Sequence, residues 1–235
     1  MTDLSREVQQ MKQSHAACEP ESWGKPASHV RSGTEAGALS AITDSDCSIA
    51  IWQRPVDAVV HTRAKAIAAT ERLELRLNLT PAQLKHDLLA SITAKSFPLG
   101  ARDPLLNDIE RLGRHFEAIA STLDVPQAVT LRLETLRDDG CRRFHVDRVH
   151  LRLLCTYLGP GTEWLTEDQV DRDALATHLP NEAIVRRGVP QRLEPFWVAI
   201  IKGERYPGAA GRGQVHRSPP IAAAGAARVL FSLDI

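Results

Sequence analysis

Apolar positions recur along this chain in two rhythms, and the change near Val129 separates a helical stretch from a sheet-rich one. From Pro55, the residues Val56, Val59, Val60, Ala64 and Ile67 return on one face of a helix. Thr80-Pro81-Ala82-Gln83 supplies a cap, a proline at the first helical position and an N3 residue able to reciprocate. Leu84, Leu88 and Leu89 give that helix its apolar face. Asp103-Pro104 repeats the cap-and-proline logic ahead of Leu105, Ile109, Leu112, Phe116 and Ile119, spaced by three and four. After Val129 the period falls to two. VTLRLETL aligns Val129, Leu131 and Leu133, and CRRFHVDRV, LRLLCTYLG, FWVAII and AARVLFSLDI follow as strand candidates, with CSIAIW as an earlier one. GPG at Gly159 to Gly161 marks a turn, and EDQVDRDALA reads as a short helix.

This order predicts an α+β chain: a partly ordered N-terminal arm over residues 1–45, interrupted by Gly24, Pro26, Gly33 and Gly37, then a single domain over 46–235. Its helices lie mainly in 55–122 and its β-rich core mainly in 129–235. The 235 residues suffice for one sizeable core, and 29 basic residues balance 29 acidic ones. That balance provides no field for nucleic acid or an anionic membrane. No apolar run is long enough for a membrane span, and MTDLSREVQQ has no apolar signal-peptide core, so a cytoplasmic location is expected. Cys18, Cys47, Cys141 and Cys155 lack zinc-knuckle spacing, with Cys155 expected in the core. Strand-helix repeats, G-x-G-x-x-G and a P-loop are all missing, which argues against nucleotide chemistry.

The chemistry concentrates in His145-Val146-Asp147. On a strand, period two would aim His145 and Asp147 to the same side, and His216 could join them from a distant strand. Two imidazoles and one carboxylate hold non-haem Fe(II) while leaving coordination positions open, so these three are the candidate metal ligands and catalytic centre. Arg228 lies on the last strand candidate, with Leu230 and Ser232 on the same face. Arg152 and Tyr157, on LRLLCTYLG, are further candidates for binding a co-substrate; either could instead turn outward or pack. Thr162, Glu163 and Trp164 follow the GPG turn, where Trp164 could flank the pocket or pack in the core.

The order H-x-D, distal histidine, arginine resembles that of the Fe(II)- and 2-oxoglutarate-dependent oxygenases, over roughly Val129 to Ile235. The resemblance implies a double-stranded β-helix (a cupin-like jelly roll) behind the helical layer, with His145, Asp147 and His216 on iron. It implies that Arg228 binds the distal carboxylate of 2-oxoglutarate, with Ser232 as companion. That family often carries serine or threonine two residues after the arginine; here Leu230 stands there and Ser232 is four along. FHVDRVHLRLLCTYLGPGTEW and GRGQVHRSPP are more closely similar to a bacterial family, domain of unknown function 1826, over most of the chain. The first resemblance implies oxidative decarboxylation of 2-oxoglutarate coupled to hydroxylation or oxidative demethylation of a small molecule or peptide. The second, associated with zinc-homeostasis gene neighbourhoods, implies an alternative: a non-enzymatic zinc or iron protein that senses or handles metal. Affinity order favours Zn(II) over Fe(II) at such a site. The sequence specifies neither the substrate nor the oligomeric state.

Overall fold

Strands β4 (Val129–Leu136), β5 (Leu151–Leu158) and β10 (Arg228–Asp234) lie at the centre of the larger sheet in a computed structural model. It describes residues 29–70, 73–93, 103–125 and 128–235. Alternation divides each strand between two environments. Leu131 and Leu133, then Leu151, Leu153, Cys155 and Tyr157, then Val229, Phe231 and Leu233 enter one apolar core. Arg152, Leu154 and Thr156 on β5, and Arg228, Leu230, Ser232 and Asp234 on β10, take the opposite face. One face of the sheet is therefore greasy and the other carries the polar side chains.

The helices seal the greasy face. These are α1 (Ala58–Thr70), α2 (Pro81–His86), α3 (Leu88–Thr93) and α4 (Pro104–Ala120). Helix α4 buries Leu105, Ile109, Leu112, Phe116 and Ile119, as its spacing predicts. Asp103 caps it by accepting from the Leu105 N–H at 2.9 Å. Thr80 and Gln83 form the expected reciprocal capping box on α2. Arg54 ties the layers together, donating to both oxygens of Asp108 on α4 at 2.8 and 2.7 Å. The Tyr157 hydroxyl donates to the same carboxylate at 2.8 Å.

The sheet has seven strands in the order β1-β2-β8-β5-β10-β4-β3. Here β1 is Val30–Gly33, β2 Ile49–Trp52, β3 Glu74–Leu79 and β8 Val198–Lys202. Only the β1–β2 pair at the edge is parallel. A second, three-stranded sheet runs β7 (Gln191–Arg192), β6 (Glu163–Trp164), β9 (His216–Arg217). Phe144, Leu165, Val170, Ile184 and Val215 pack together beside it, close to α5 (Arg172–Ala176) and α6 (Asn181–Ile184). The result is an α+β fold with a large, mostly antiparallel sheet. No helix among the described residues is long and apolar enough to cross a membrane.

The structure departs from the sequence pattern at five places, one of them at Asp87, where the helix expected to carry Leu84, Leu88 and Leu89 is broken into α2 and α3. Helix α1 starts at Ala58, so Val56 and Val59 are exposed and the buried face is Val60, Ala64, Ile67 and Ala68. Strand β3, whose Leu75, Leu77 and Leu79 alternate with exposed residues, lies where no strand was expected. CRRFHVDRV is not a regular strand; only His145 forms a bridge, to His216. The end of the expected arm is packed: β1 and a 3-10 helix, Ala36–Thr43, carry the fully buried Leu39 and Ile42. Residues 1–28 of that arm lie outside the described residues.

Candidate metal centre

His145 and His216 meet through a two-way backbone bridge, each N–H donating to the other's carbonyl at 3.0 Å. Residues opposed in this way project to the same side. Their ring centroids are 4.6 Å apart. The expected regular strand is thus replaced by a single bridge; Asp147 follows two residues on and faces the same rings, and the chain bends over 148–150. Close backbone approach holds that bend. Glu204 N–H donates to the Asp147 carbonyl at 2.8 Å, and Gly203 N–H to the His150 carbonyl at 3.0 Å. A β-carbon on Gly203 would stand 2.2 Å from the Val149 oxygen and 2.7 Å from the Asp147 oxygen, so only glycine fits there.

One potential ligand atom from each of His145, Asp147 and His216 lies within 4.8 Å of the others, so the structure brings the three together. His145 Nδ1 is 2.8 Å from the Arg143 carbonyl, and His216 Nδ1 is 3.2 Å from the Gln214 carbonyl. A carbonyl only accepts, so each Nδ1 carries a proton, and Nε2 is the ring atom that each histidine turns toward the cluster. Both Nε2 atoms face the carboxylate, at 3.5 Å from Asp147 Oδ1 for His145 and 3.1 Å from Oδ2 for His216. Burial alone would raise the Asp147 pKa, but His216, His145 and Arg152 together hold it well below the usual carboxylate range. Burial would likewise lower that of His145; its contacts with Asp147 and the Arg143 carbonyl outweigh this and raise it. Asp147 and His216 are buried, and the His145 side chain is about one-third exposed. The cluster therefore has two ligands in the interior and one at its mouth.

Arg228 lies on the same side of the large sheet. It is 1% exposed. Its Nη2 donates to Thr162 Oγ1 at 2.7 Å and Thr156 Oγ1 at 3.1 Å, while Nη1 reaches Ser218 Oγ at only 3.5 Å. Nε has no hydrogen-bond acceptor among the described residues, and no carboxylate is paired with this guanidinium. Burial lowers its pKa to about 10. Buried cations are ordinarily paired. Among the described residues, this one is bound by neutral hydroxyls alone. Gly159, at φ +79°, lets the turn after β5 lie against Arg228: a β-carbon there would stand 3.2 Å from the arginine Cα.

The remaining expected site residues separate. Ser232 is buried on the Arg228 face, as alternation requires. Tyr157 is not at the site. It points into the helical layer, where its hydroxyl binds Asp108 and its ring meets Phe196 edge-on. Arg152 does face the cluster, but it is committed to carboxylates: Nη1 lies 2.7 Å from Asp147 Oδ2, and Nε and Nη2 donate to Asp234 at 2.5 and 2.8 Å. It is therefore not a free receptor for an anionic co-substrate. Asp234 and Ser218 were missed by the sequence reading. Asp234 shares the residue parity of Arg228 and Ser232, a signal that was available; Ser218 comes near Arg228 only through the tertiary fold. Trp164, opposite His216 in the β6–β9 pair, is buried with Nε1 unpartnered among the described residues.

A family model described as "Protein of unknown function (DUF1826)" matches residues 33–234. No curated protein matches the chain. Among solved structures, it is similar to a Pseudomonas putida prolyl-4-hydroxylase at 12% identity, over 85% of this chain and 96% of that one, with a TM-score of 0.40. It is also similar to IDO from Bacillus thuringiensis at 11% identity, over 74% and 82% of the two chains, with a TM-score of 0.38. At such scores the likeness assigns nothing to this chain.

Proposed function

The chain belongs to the DUF1826 family, and we propose that it is an Fe(II)- and 2-oxoglutarate-dependent dioxygenase acting on a small molecule or peptide. The observation that carries this reading is the pairing of an imidazole–carboxylate–imidazole cluster with a buried guanidinium lacking a counter-charge. The cluster alone suits several divalent ions. Arg228 adds a demand for an anion, and its free Nε and weakly engaged Nη1 leave donors for a carboxylate. A dicarboxylate able to reach both metal and arginine meets the two requirements at once. In this reading the two sheets are the faces of a double-stranded β-helix, the chain from β1 to Ile235 is one domain, and Ser232 adds a polar group beside the co-substrate.

The residues fit Fe(II). Both Nε2 atoms are turned to the site by the Nδ1–carbonyl contacts, Asp147 is ionised, and three ligands leave positions open. The metal, when bound with 2-oxoglutarate and oxygen, supplies oxidising chemistry that couples decarboxylation to attack on a substrate C–H bond. The chain supplies the rest. His145 and His216 are held in the ligating tautomer by backbone carbonyls. Arg228 orients the co-substrate through its remote carboxylate, and Thr156 and Thr162 hold the guanidinium plane. The test is succinate formation from 2-oxoglutarate by iron-loaded protein under oxygen. We expect succinate from the wild type and none from Asp147→Ala. Tight metal binding with no succinate and no 2-oxoglutarate binding would favour the metal-handling alternative.

A further inference from the structure

We propose that Arg152 is a positioning residue for the metal centre, fixing the Asp147 carboxylate through an anchor on Asp234. This rests on the metal-site reading above. Arg152 and Asp234 are directly opposed in the β5–β10 ladder, and the guanidinium grips both Asp234 oxygens, Nε to Oδ1 at 2.5 Å and Nη2 to Oδ2 at 2.8 Å. That fork fixes its plane. The remaining Nη1 projects to Asp147 Oδ2 at 2.7 Å, as an ion-pair contact rather than an aligned hydrogen bond. Arg132, across β10 on β4, adds a second cation 3.5 Å from Asp234 Oδ2.

The arrangement does two things for Asp147. It holds one oxygen in place before any metal arrives, in a segment with no regular strand to align it. It also ties the metal carboxylate to β10, the strand that carries Arg228 at its other end. Metal ligand and anion receptor are thereby referenced to one rigid element, which fixes their spacing. The cation itself works against metal charge, so its benefit is geometric. A lysine at this position retains the charge but loses the planar fork.

Co(II), which gives a visible spectrum sensitive to coordination, is titrated into metal-free wild type, Arg152→Lys, Asp234→Asn and the double variant. Loss of groups supporting a metal ligand weakens binding by about 10–100-fold. We expect that loss in Arg152→Lys, with an altered Co(II) spectrum. Asp234→Asn, which keeps Arg152 and Asp147 but removes the charged fork that fixes the guanidinium, should also weaken binding, and the double variant should bind about as weakly as Arg152→Lys. Melting of the metal-free proteins separates a merely structural role. Unchanged Co(II) affinity and spectrum in both single variants, with lowered melting temperatures, overturns the inference; should Arg152→Lys fail to fold, Asp234→Asn alone decides. Absence of Co(II) binding by the wild type overturns the metal centre itself, and this inference with it.

Discussion

Replacing Arg228 by methionine should leave the metal-free protein about as stable while abolishing its response to 2-oxoglutarate. Burial brings the guanidinium down to about 10, which amounts to about 3 kcal/mol against the buried cation. The hydrogen bonds to Thr156 and Thr162 offset much of this, at about 1.5 kcal/mol for each bond to a charged group. The two figures nearly cancel, so Arg228→Met should lie within about 1 kcal/mol of the wild type, in line with other buried ions replaced by apolar residues. Because the folded value is depressed, the cost of Arg228 is complete at neutral pH and shrinks only above its folded pKa, about 10. Arg54→Met is the contrast. Arg54 is buried in a two-pronged pair with Asp108, so its removal takes away the buried counter-charge and leaves that carboxylate to Tyr157 and the more exposed Arg111, at a cost of about 3 kcal/mol. Urea unfolding of metal-free protein measures both. In the iron-loaded wild type, 2-oxoglutarate at a hundred times its Kd should add about 2.7 kcal/mol, and Arg228→Met should show no such gain. An Arg228→Met loss as large as that of Arg54→Met would overturn this ledger, because the buried guanidinium would then be a net stabilising group that needs no anion.

Three further outcomes follow from the same structure. Burial raises the Asp108 pKa, but Arg54, Tyr157 and Arg111 more than reverse this, leaving it below the ordinary carboxylate value. A depressed folded value stabilises above the unfolded pKa and is lost as pH falls through the folded one, so the deficit of Asp108→Asn, measured by urea unfolding, should be widest at neutral pH and narrow below about pH 4. Gly203→Ala would drive a methyl into the Val149 and Asp147 carbonyls; calorimetry should show a loss of about 1–3 kcal/mol, and Co(II) titration a weaker site. Trp164→Phe removes a buried donor that has no acceptor among the described residues, so denaturation should place it within about 1 kcal/mol of the wild type.

Local signals were the readable ones. The cap of α4 and the period of β4, β5 and β10 depend on neighbours in sequence, and the structure reproduces them. Strand parity carried more than was taken from it. Arg152 and Tyr157 differ by five positions on β5 and must face opposite sides, so both could not serve one pocket. The same parity places Asp234 on the strand face of Arg228 and Ser232. Leu75, Leu77 and Leu79 alternate too, yet the helix signals on either side obscured β3. The H-x-D motif identified the cluster for an incomplete reason: His145 and Asp147 converge on His216 through a single bridge and a bend held by Gly203, not through a regular strand. Such long-range contacts leave no local period. Nor does residue type alone reveal that Arg152 is occupied by two carboxylates while Arg228 has none.

Anaerobic titration of metal-free protein with Fe(II) and 2-oxoglutarate under visible spectroscopy asks whether one metal and one anion receptor serve the same co-substrate. A charge-transfer band that needs both components should appear, disappear in Asp147→Ala and weaken in Arg228→Ala. Tight iron binding without that band, or a band indifferent to Arg228, would rule out that shared role.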